Sequence, residues 1–116
     1  MSDKPRPVFD RARFDVQTGG DRDLQREVIQ MFLEDCESRV EAIRAAVVER
    51  DAARLRSTAH ALKGAASYLS APLVVETAER LEGMGRDGTL DEASAGLERL
   101  EACVADFIAE LHRWRD

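Results

Sequence analysis

The sequence predicts an all-α protein, an antiparallel up-down four-helix bundle with a short N-terminal helical segment. Ala, Leu, Glu and Arg dominate the composition, whereas aromatic residues make up 5% and there are 3 prolines, so strand-forming residues are scarce. Apolar residues recur at steps of three and four, which is the period of an amphipathic helix. Short breaks separate these stretches, and helices joined by short connections bury their apolar faces against one another.

The length of 116 residues fits one domain. Residues 1–7 contain two prolines and predict a disordered lead-in, and residues 8–116 predict the bundle. The stretch from Val8 to Val16 predicts one or two helical turns. A glycine pair then breaks the chain, and Asp21 is expected to cap the next helix.

The first long stretch predicts either one helix or two helices with a kink near Cys36–Ser38. Asp51 is the next expected cap, and it opens a second helix. The apolar stripe of the first stretch is Leu24, Val28, Met31, Phe32, Val40, Ile43 and Val47. That of the second is Leu55, Ala59, Leu62, Ala66 and Leu69.

Pro72 predicts the first turn of a third helix, with Ser70 or Ala71 as its cap. Three glycines are expected to loosen and end this helix: Gly83, Gly85 and Gly88. Thr89 and Glu92 have the spacing of a capping box before the last helix. The apolar stripe of the third helix is Leu73, Thr77, Leu81 and Met84, and that of the last is Ala93, Leu97, Leu100, Val104, Phe107 and Leu111.

The formal charge of −6 argues against nucleic acid or an anionic membrane as a partner, since both attract basic surfaces. No stretch of about 18 apolar residues and no secretory leader occurs, so we expect a cytoplasmic protein. Cys36 and Cys103 fall within helical patterns and predict buried free thiols. Neither has metal-ligand spacing, so no metal site is expected.

His60 lies about 160° around the second helix from Leu62, so we expect its ring to face solvent opposite the apolar stripe. Gly64 follows one turn later, although glycine inside a helix costs about 1 kcal/mol relative to alanine. Either another protein's loop approaches the imidazole there, or two helices pack closely. Lys63 is one of two lysines in the chain, and its compact ammonium suits a phosphoryl oxygen. The neighbours of His60 on this side are Arg56, Ser57, Lys63, Gly64 and Ser67.

The run from Ala59 to Ala66, A-H-A-L-K-G-A-A, resembles the A-H-x-L-K-G-x-x signature of the histidine phosphotransfer (Hpt) domain family. The resemblance extends back through Phe32-Leu33 and the Asp51 turn, and forward to Leu81-Glu82. It spans roughly residues 14–111. It implies a helical carrier in a multistep two-component phosphorelay, which accepts a phosphoryl group from a receiver-domain aspartate and passes it to another receiver.

The resemblance implies roles for individual residues. His60 matches the phosphoacceptor, modified on Nε2, Lys63 matches the basic residue that steadies the phosphoryl group, and Gly64 matches the residue that leaves space for the receiver. Glu82 falls where relatives often carry a glutamine that hydrogen-bonds the imidazole, and Arg86 falls where some carry a basic residue. We expect Ser67 to support the site. The expected partner-binding residues beside it are Arg56, Ser57, Ala61, Ala65 and Tyr68.

The resemblance also implies partners and cofactors. The expected partners are receiver domains of response regulators or of a hybrid histidine kinase, bound by a monomeric carrier. No cofactor is expected in this chain, because Mg²⁺ belongs to the receiver. The sequence contains no nucleotide-binding loop, so we expect the chain to be a carrier and not an enzyme.

Two positions depart from the family pattern, and two other functions compete. Ser70 stands where a glycine is usual, and it is expected to cap the next helix. Glu82 replaces an amide and could orient Nδ1–H, yet its charge would repel a close phosphate. The alternatives are a helical interaction module without phosphotransfer and a histidine-kinase dimerisation domain. In the latter, an acidic residue typically follows the acceptor histidine, whereas Ala61 stands here.

Overall fold

The computed structural model describes residues 6–115, so most of the expected lead-in, residues 1–5, lies outside the described residues, as does Asp116. Within that range the chain is helical and contains no strand, which confirms the all-α prediction. The helices are α1 (Arg11–Gln17), α2 (Arg22–Val48), α3 (Ala52–Tyr68), α4 (Pro72–Asp87) and α5 (Ala93–Arg115), and a 3-10 turn (Leu90–Glu92) precedes α5.

Aspartates begin the first three helices. The carboxylate of Asp10 accepts the backbone N–H of Arg13 at 3.1 Å, that of Asp21 accepts those of Asp23 and Leu24, and that of Asp51 accepts that of Arg54 at 3.1 Å. Each bond satisfies a backbone donor that has no partner inside the helix. The expectations for Asp21 and Asp51 are therefore confirmed.

Helices α2 to α5 form a ring in which chain neighbours pack antiparallel. Gly85 of α4 lies against the backbone of Ala52 and Arg56 in α3, whereas Glu82 lies near His60, one turn further along α3. Arg44 of α2 pairs with Glu101 of α5 at 2.6 Å, which closes the ring. The connections between the long helices are short, so the up-down topology follows from the chain itself.

The core is the shared interior of the ring. Ile43, Leu55, Leu62, Leu81 and Leu100 are fully buried there. Helix α1 closes one end of the ring, where the rings of Phe9 and Phe14 meet those of Phe107 and Trp114 at centroid distances of 5.6 and 6.3 Å respectively. The buried side chain of Gln25 in α2 holds α1 in this position, because its Nε2 donates hydrogen bonds to Asp15 and Thr18 at 2.8 Å each.

Several local expectations are wrong. Helix α2 runs without interruption through Cys36–Ser38, so the two-helix alternative fails. Met31 is 56% exposed and does not belong to the core, because the buried stripe of α2 runs through Ile29 and Phe32 instead. Gly83 and Gly85 lie inside α4, which ends only at Gly88 in the left-handed conformation. Thr89 makes no side-chain cap bond, since a 3-10 turn follows it.

Ser70 does not cap α4, whose N-cap is Ala71 without a side-chain bond. Ser70 instead ends α3 with a φ of 58°, and the N–H groups of Ser70 and Ala71 bond back to Ser67 and Ala66 at 3.1 and 3.0 Å. This is a Schellman ending, which normally carries glycine because other residues pay a steric cost at positive φ. The hydroxyl of Ser70 lies 3.2 Å from the side-chain amide of Gln17, which ties α1 to this turn.

Both cysteines are free, as predicted. Cys36 is buried, and burial raises the pKa of its thiol, so it is protonated and unreactive at neutral pH. Cys103 is only half-buried, and its Sγ lies 3.7 Å from Thr77 Oγ1.

Candidate functional site

His60 occupies the middle of α3, and its side chain is 67% exposed. The neighbouring residues Ala59 and Leu62 are fully buried, so the apolar stripe of α3 fixes the helix and turns the imidazole outward. Eight helical residues on each side hold the backbone of His60 in place. The exposure predicted from helical geometry is therefore confirmed.

Glu82 of α4 orients the imidazole. Its Oε2 lies 2.8 Å from His60 Nδ1, in hydrogen-bond geometry. An ionised carboxylate only accepts hydrogen bonds, so Nδ1 carries the proton and the neutral ring keeps its lone pair on Nε2. The contact therefore leaves Nε2 as the nucleophilic nitrogen.

Lys63 contacts the second oxygen of the same carboxylate. Its Nζ lies 2.6 Å from Glu82 Oε1 as an ion pair, with side-chain exposures of 27% for Lys63 and 16% for Glu82. Oε1 is buried, and no described residue other than Lys63 offers it a donor. The Lys63 ammonium has the largest effect on the pKa of Glu82 and lowers that pKa. Burial raises the pKa, and His60 lowers it further. Glu82 is therefore ionised at neutral pH.

Gly85 allows α4 to approach α3 closely enough for these contacts. A Cβ at Gly85 would lie 2.5 Å from the backbone nitrogen of Arg56 and 2.6 Å from the carbonyl oxygen of Ala52. This contact lies one helical turn from the His60–Glu82 pair, on both helices. Gly85, in the last turn of α4, therefore packs α4 against α3, whereas the sequence pattern indicated only that this glycine loosens the end of the helix.

Gly64 has a different surrounding. It is exposed, and a Cβ there would have nothing within 4 Å. Close packing within this chain does not explain the glycine, so of the two interpretations the structure favours an opening beside His60 for another molecule.

The remaining candidates lie around this group. Arg86, one turn beyond Glu82, pairs with Asp87 at 3.1 Å and does not join the contacts of His60. Ser67 lies two turns from His60 and lines a cleft with Arg13 and Pro72. Arg56 and Ser57 are exposed on the turn before His60, and the hydroxyl of Ser57 donates to the carbonyl of Arg54 at 3.1 Å.

An apolar groove of about 200 Å³ lies between α2 and α3. Ala65 and Tyr68 lie in it and share this surface with α2, whereas Ala61 is exposed on the preceding turn. Tyr68 is 47% exposed. The groove is lined by Val28, Met31, Phe32, Asp35, Arg39, Ala65, Tyr68 and Leu69. Sequence reasoning placed Val28, Met31 and Phe32 in the core and did not predict the groove. Phe32 is buried and Val28 packs against the core, so only the placement of Met31 is wrong.

Within residues 6–115, no group of three or more His, Cys, Asp or Glu side chains could hold a metal ion. None of the helices is both long enough and apolar enough to cross a membrane.

The chain is similar to a known protein family and to a solved structure. The sequence model of the Hpt domain matches residues 27–110. The crystal structure of histidine-containing phosphotransfer protein B (HptB) from Pseudomonas aeruginosa PAO1 superposes with a TM-score of 0.88 at 29% sequence identity, over 94% of this chain and 95% of that one. No curated protein matches the chain.

Proposed function

The chain belongs to the Hpt domain family of phosphorelay phosphotransfer proteins, and on that premise we propose that Nε2 of His60 carries the phosphoryl group. The observation that carries this proposal is the bond between His60 Nδ1 and Glu82 at 2.8 Å. It favours the tautomer with the proton on Nδ1 and the lone pair on Nε2, and the side chain is 67% exposed on a rigid helix. These are the requirements for an in-line nucleophile.

The proposed reaction is a reversible exchange with a receiver domain. The lone pair of His60 Nε2 forms the N–P bond, and the P–O bond of the receiver's aspartyl phosphate breaks, with its electron pair left on the aspartate. The proton on Nδ1 stays in the hydrogen bond to Glu82, and Lys63 provides positive charge for the phosphoryl oxygens. The receiver supplies Mg²⁺ and most of the catalytic groups, so this chain acts as a carrier and not as a classical enzyme.

Hpt domains interact with receiver domains, and we infer that the α2–α3 groove contributes to that contact here. It offers two half-exposed apolar side chains, Met31 and Tyr68, next to the His60 face. Apolar side chains grouped in an exposed groove can be buried by a partner protein. A small interface suits a carrier that must leave each partner quickly.

Replacement of the two histidines separately tests the proposal. His60→Gln should abolish labelling by a ³²P-phosphorylated receiver, whereas His112→Gln, which changes the other histidine, should leave it intact. Both variants should keep the helical circular dichroism spectrum, because both side chains are exposed. Label that persists on His60→Gln would refute the assignment. A wild-type protein that binds a receiver but takes no label would instead be a helical interaction module.

A further inference from the structure

Glu82 contacts both groups that the proposed transfer needs. Its Oε2 holds His60 Nδ1 at 2.8 Å, and its Oε1 lies 2.6 Å from Lys63 Nζ. The contact with His60 supports the reaction, because it frees Nε2. The contact with Lys63 opposes it, because it neutralises the cation that the phosphoryl group needs.

The ion pair is positioned to be exchanged. Lys63 lies beside the carboxylate that holds Nδ1, whereas the phosphoryl group is added on Nε2, one carbon away on the outer edge of the ring. The contact between Lys63 Nζ and Glu82 Oε1 joins a cation to an anion at 2.6 Å, so the ammonium can exchange this oxygen for another anionic oxygen. The Lys63 side chain is flexible and 27% exposed, which allows the ammonium to move.

No other cation in the described part of the chain can easily take the place of Lys63. Arg86 is close enough to be affected by the charge of Glu82, yet its guanidinium pairs with Asp87 at 3.1 Å. Arg56 is exposed one turn before His60 and forms no ion pair with Glu82. Lys63 therefore faces two competing anions, the resident carboxylate and the incoming phosphoryl group.

We propose that Glu82 is a positioning residue that competes with the phosphoryl group for Lys63 and thereby biases the carrier towards returning that group to a receiver. The inference rests on the proposed phosphorylation of His60. When the N–P bond forms, the ammonium exchanges Glu82 Oε1 for a phosphoryl oxygen, and no proton moves. When the phosphoryl group leaves, Glu82 takes the ammonium back, which favours the unphosphorylated carrier.

Glu82→Gln separates the two contacts of the carboxylate. Glutamine keeps an oxygen that accepts the Nδ1–H of His60, but it lacks the charge that holds Lys63. At equilibrium with a phosphorylated receiver, the equilibrium constant for carrier phosphorylation should rise roughly three- to tenfold, the range expected for release of a partly buried charged contact. The matched control is Glu79→Gln, which removes the same charge from an exposed position of α4 and should change the constant less than about twofold.

A double-mutant cycle with Lys63→Ala decides the mechanism. If Glu82 acts by holding Lys63, the effect of Glu82→Gln should largely disappear in the Lys63→Ala background. An equal rise in both backgrounds would mean that the carboxylate repels the phosphoryl group directly, and it would overturn the proposed competition. Absence of label from every variant and from the wild type would instead contradict the phosphorylation of His60.

A measurement on the unmutated protein covers the case in which a variant folds poorly. The NMR signal of the Lys63 ε-methylene group should shift when His60 is phosphorylated, because the ammonium changes its anionic partner. A Lys63 signal that does not move on phosphorylation contradicts the exchange.

Discussion

Replacement of Gly64 by alanine should make the protein more stable, although the residue lies next to the phosphoacceptor. A Cβ at this position meets nothing within 4 Å, so the methyl group adds no strain. Alanine inside a helix is favoured over glycine by about 0.5–1 kcal/mol. For a domain of this size that corresponds to a rise in Tm of roughly 2–6 °C.

Replacement of Gly85 by alanine is the matched contrast, since it is the same change within a helix of the same bundle. Its Cβ would lie within 2.5–2.9 Å of three backbone atoms of Arg56 and Ala52, so α3 and α4 would have to move apart. Overpacking of this kind costs typically 1–3 kcal/mol, and a net loss of about 1–2 kcal/mol should remain after the gain in helix propensity.

Urea unfolding followed by circular dichroism measures both changes. Opposite signs are expected for the two variants. A loss of stability in Gly64→Ala would show that the position is occupied or strained in the folded protein, and it would refute the interpretation of Gly64 as an opening. Gly64→Leu tests the functional role of the opening. This variant should fold, but phosphotransfer to it from a receiver should be slower, because the larger side chain obstructs the approach of the receiver to His60. Transfer at the wild-type rate would mean that no partner uses the opening.

Two further outcomes are expected. Met31→Glu should weaken receiver binding by roughly tenfold without loss of stability, because it places a charge in the α2–α3 groove at a half-exposed position. Val48→Glu, which changes an exposed residue outside the groove, is the control. Equal binding of both variants in isothermal titration calorimetry would show that the receiver does not contact the groove. The lowered pKa of Glu82 implies a pH-dependent contribution to stability: it is fully present above the ordinary carboxyl pKa of 4.5 and is lost as the pH falls through the lower pKa of the folded state. Urea unfolding between pH 7 and pH 3 should therefore show the stability difference between the wild type and Glu82→Gln shrinking below about pH 4.5, and a difference independent of pH would contradict the ion pair.

The arrangement of the helices was predictable because local rules act strongly in this chain. Asp21 and Asp51 cap their helices as expected, since a short polar side chain before an apolar run satisfies free backbone donors wherever the helix lies. The exposure of His60 was equally predictable, because a regular helix fixes the angle between His60 and the buried Leu62.

The expectations that failed concern residues whose surroundings are set by contacts between different helices. Met31 has the spacing of a core residue, but the packing of α2 turns Ile29 inward and leaves Met31 on a groove. Serine is a residue type that often caps a helix N-terminus, but Ser70 ends α3 at positive φ, and its hydroxyl contacts Gln17 of α1. Gln17 is distant from Ser70 in the sequence, so no local pattern could reveal this contact.

The sequence by itself determined a helical bundle with an exposed histidine, a lysine and a gap on one face, because helical periodicity and capping are local properties. Only the tertiary structure decided that Glu82 joins His60 and Lys63 through its two oxygens. That contact crosses from α3 to α4, and its distances depend on how closely Gly85 lets the two helices approach.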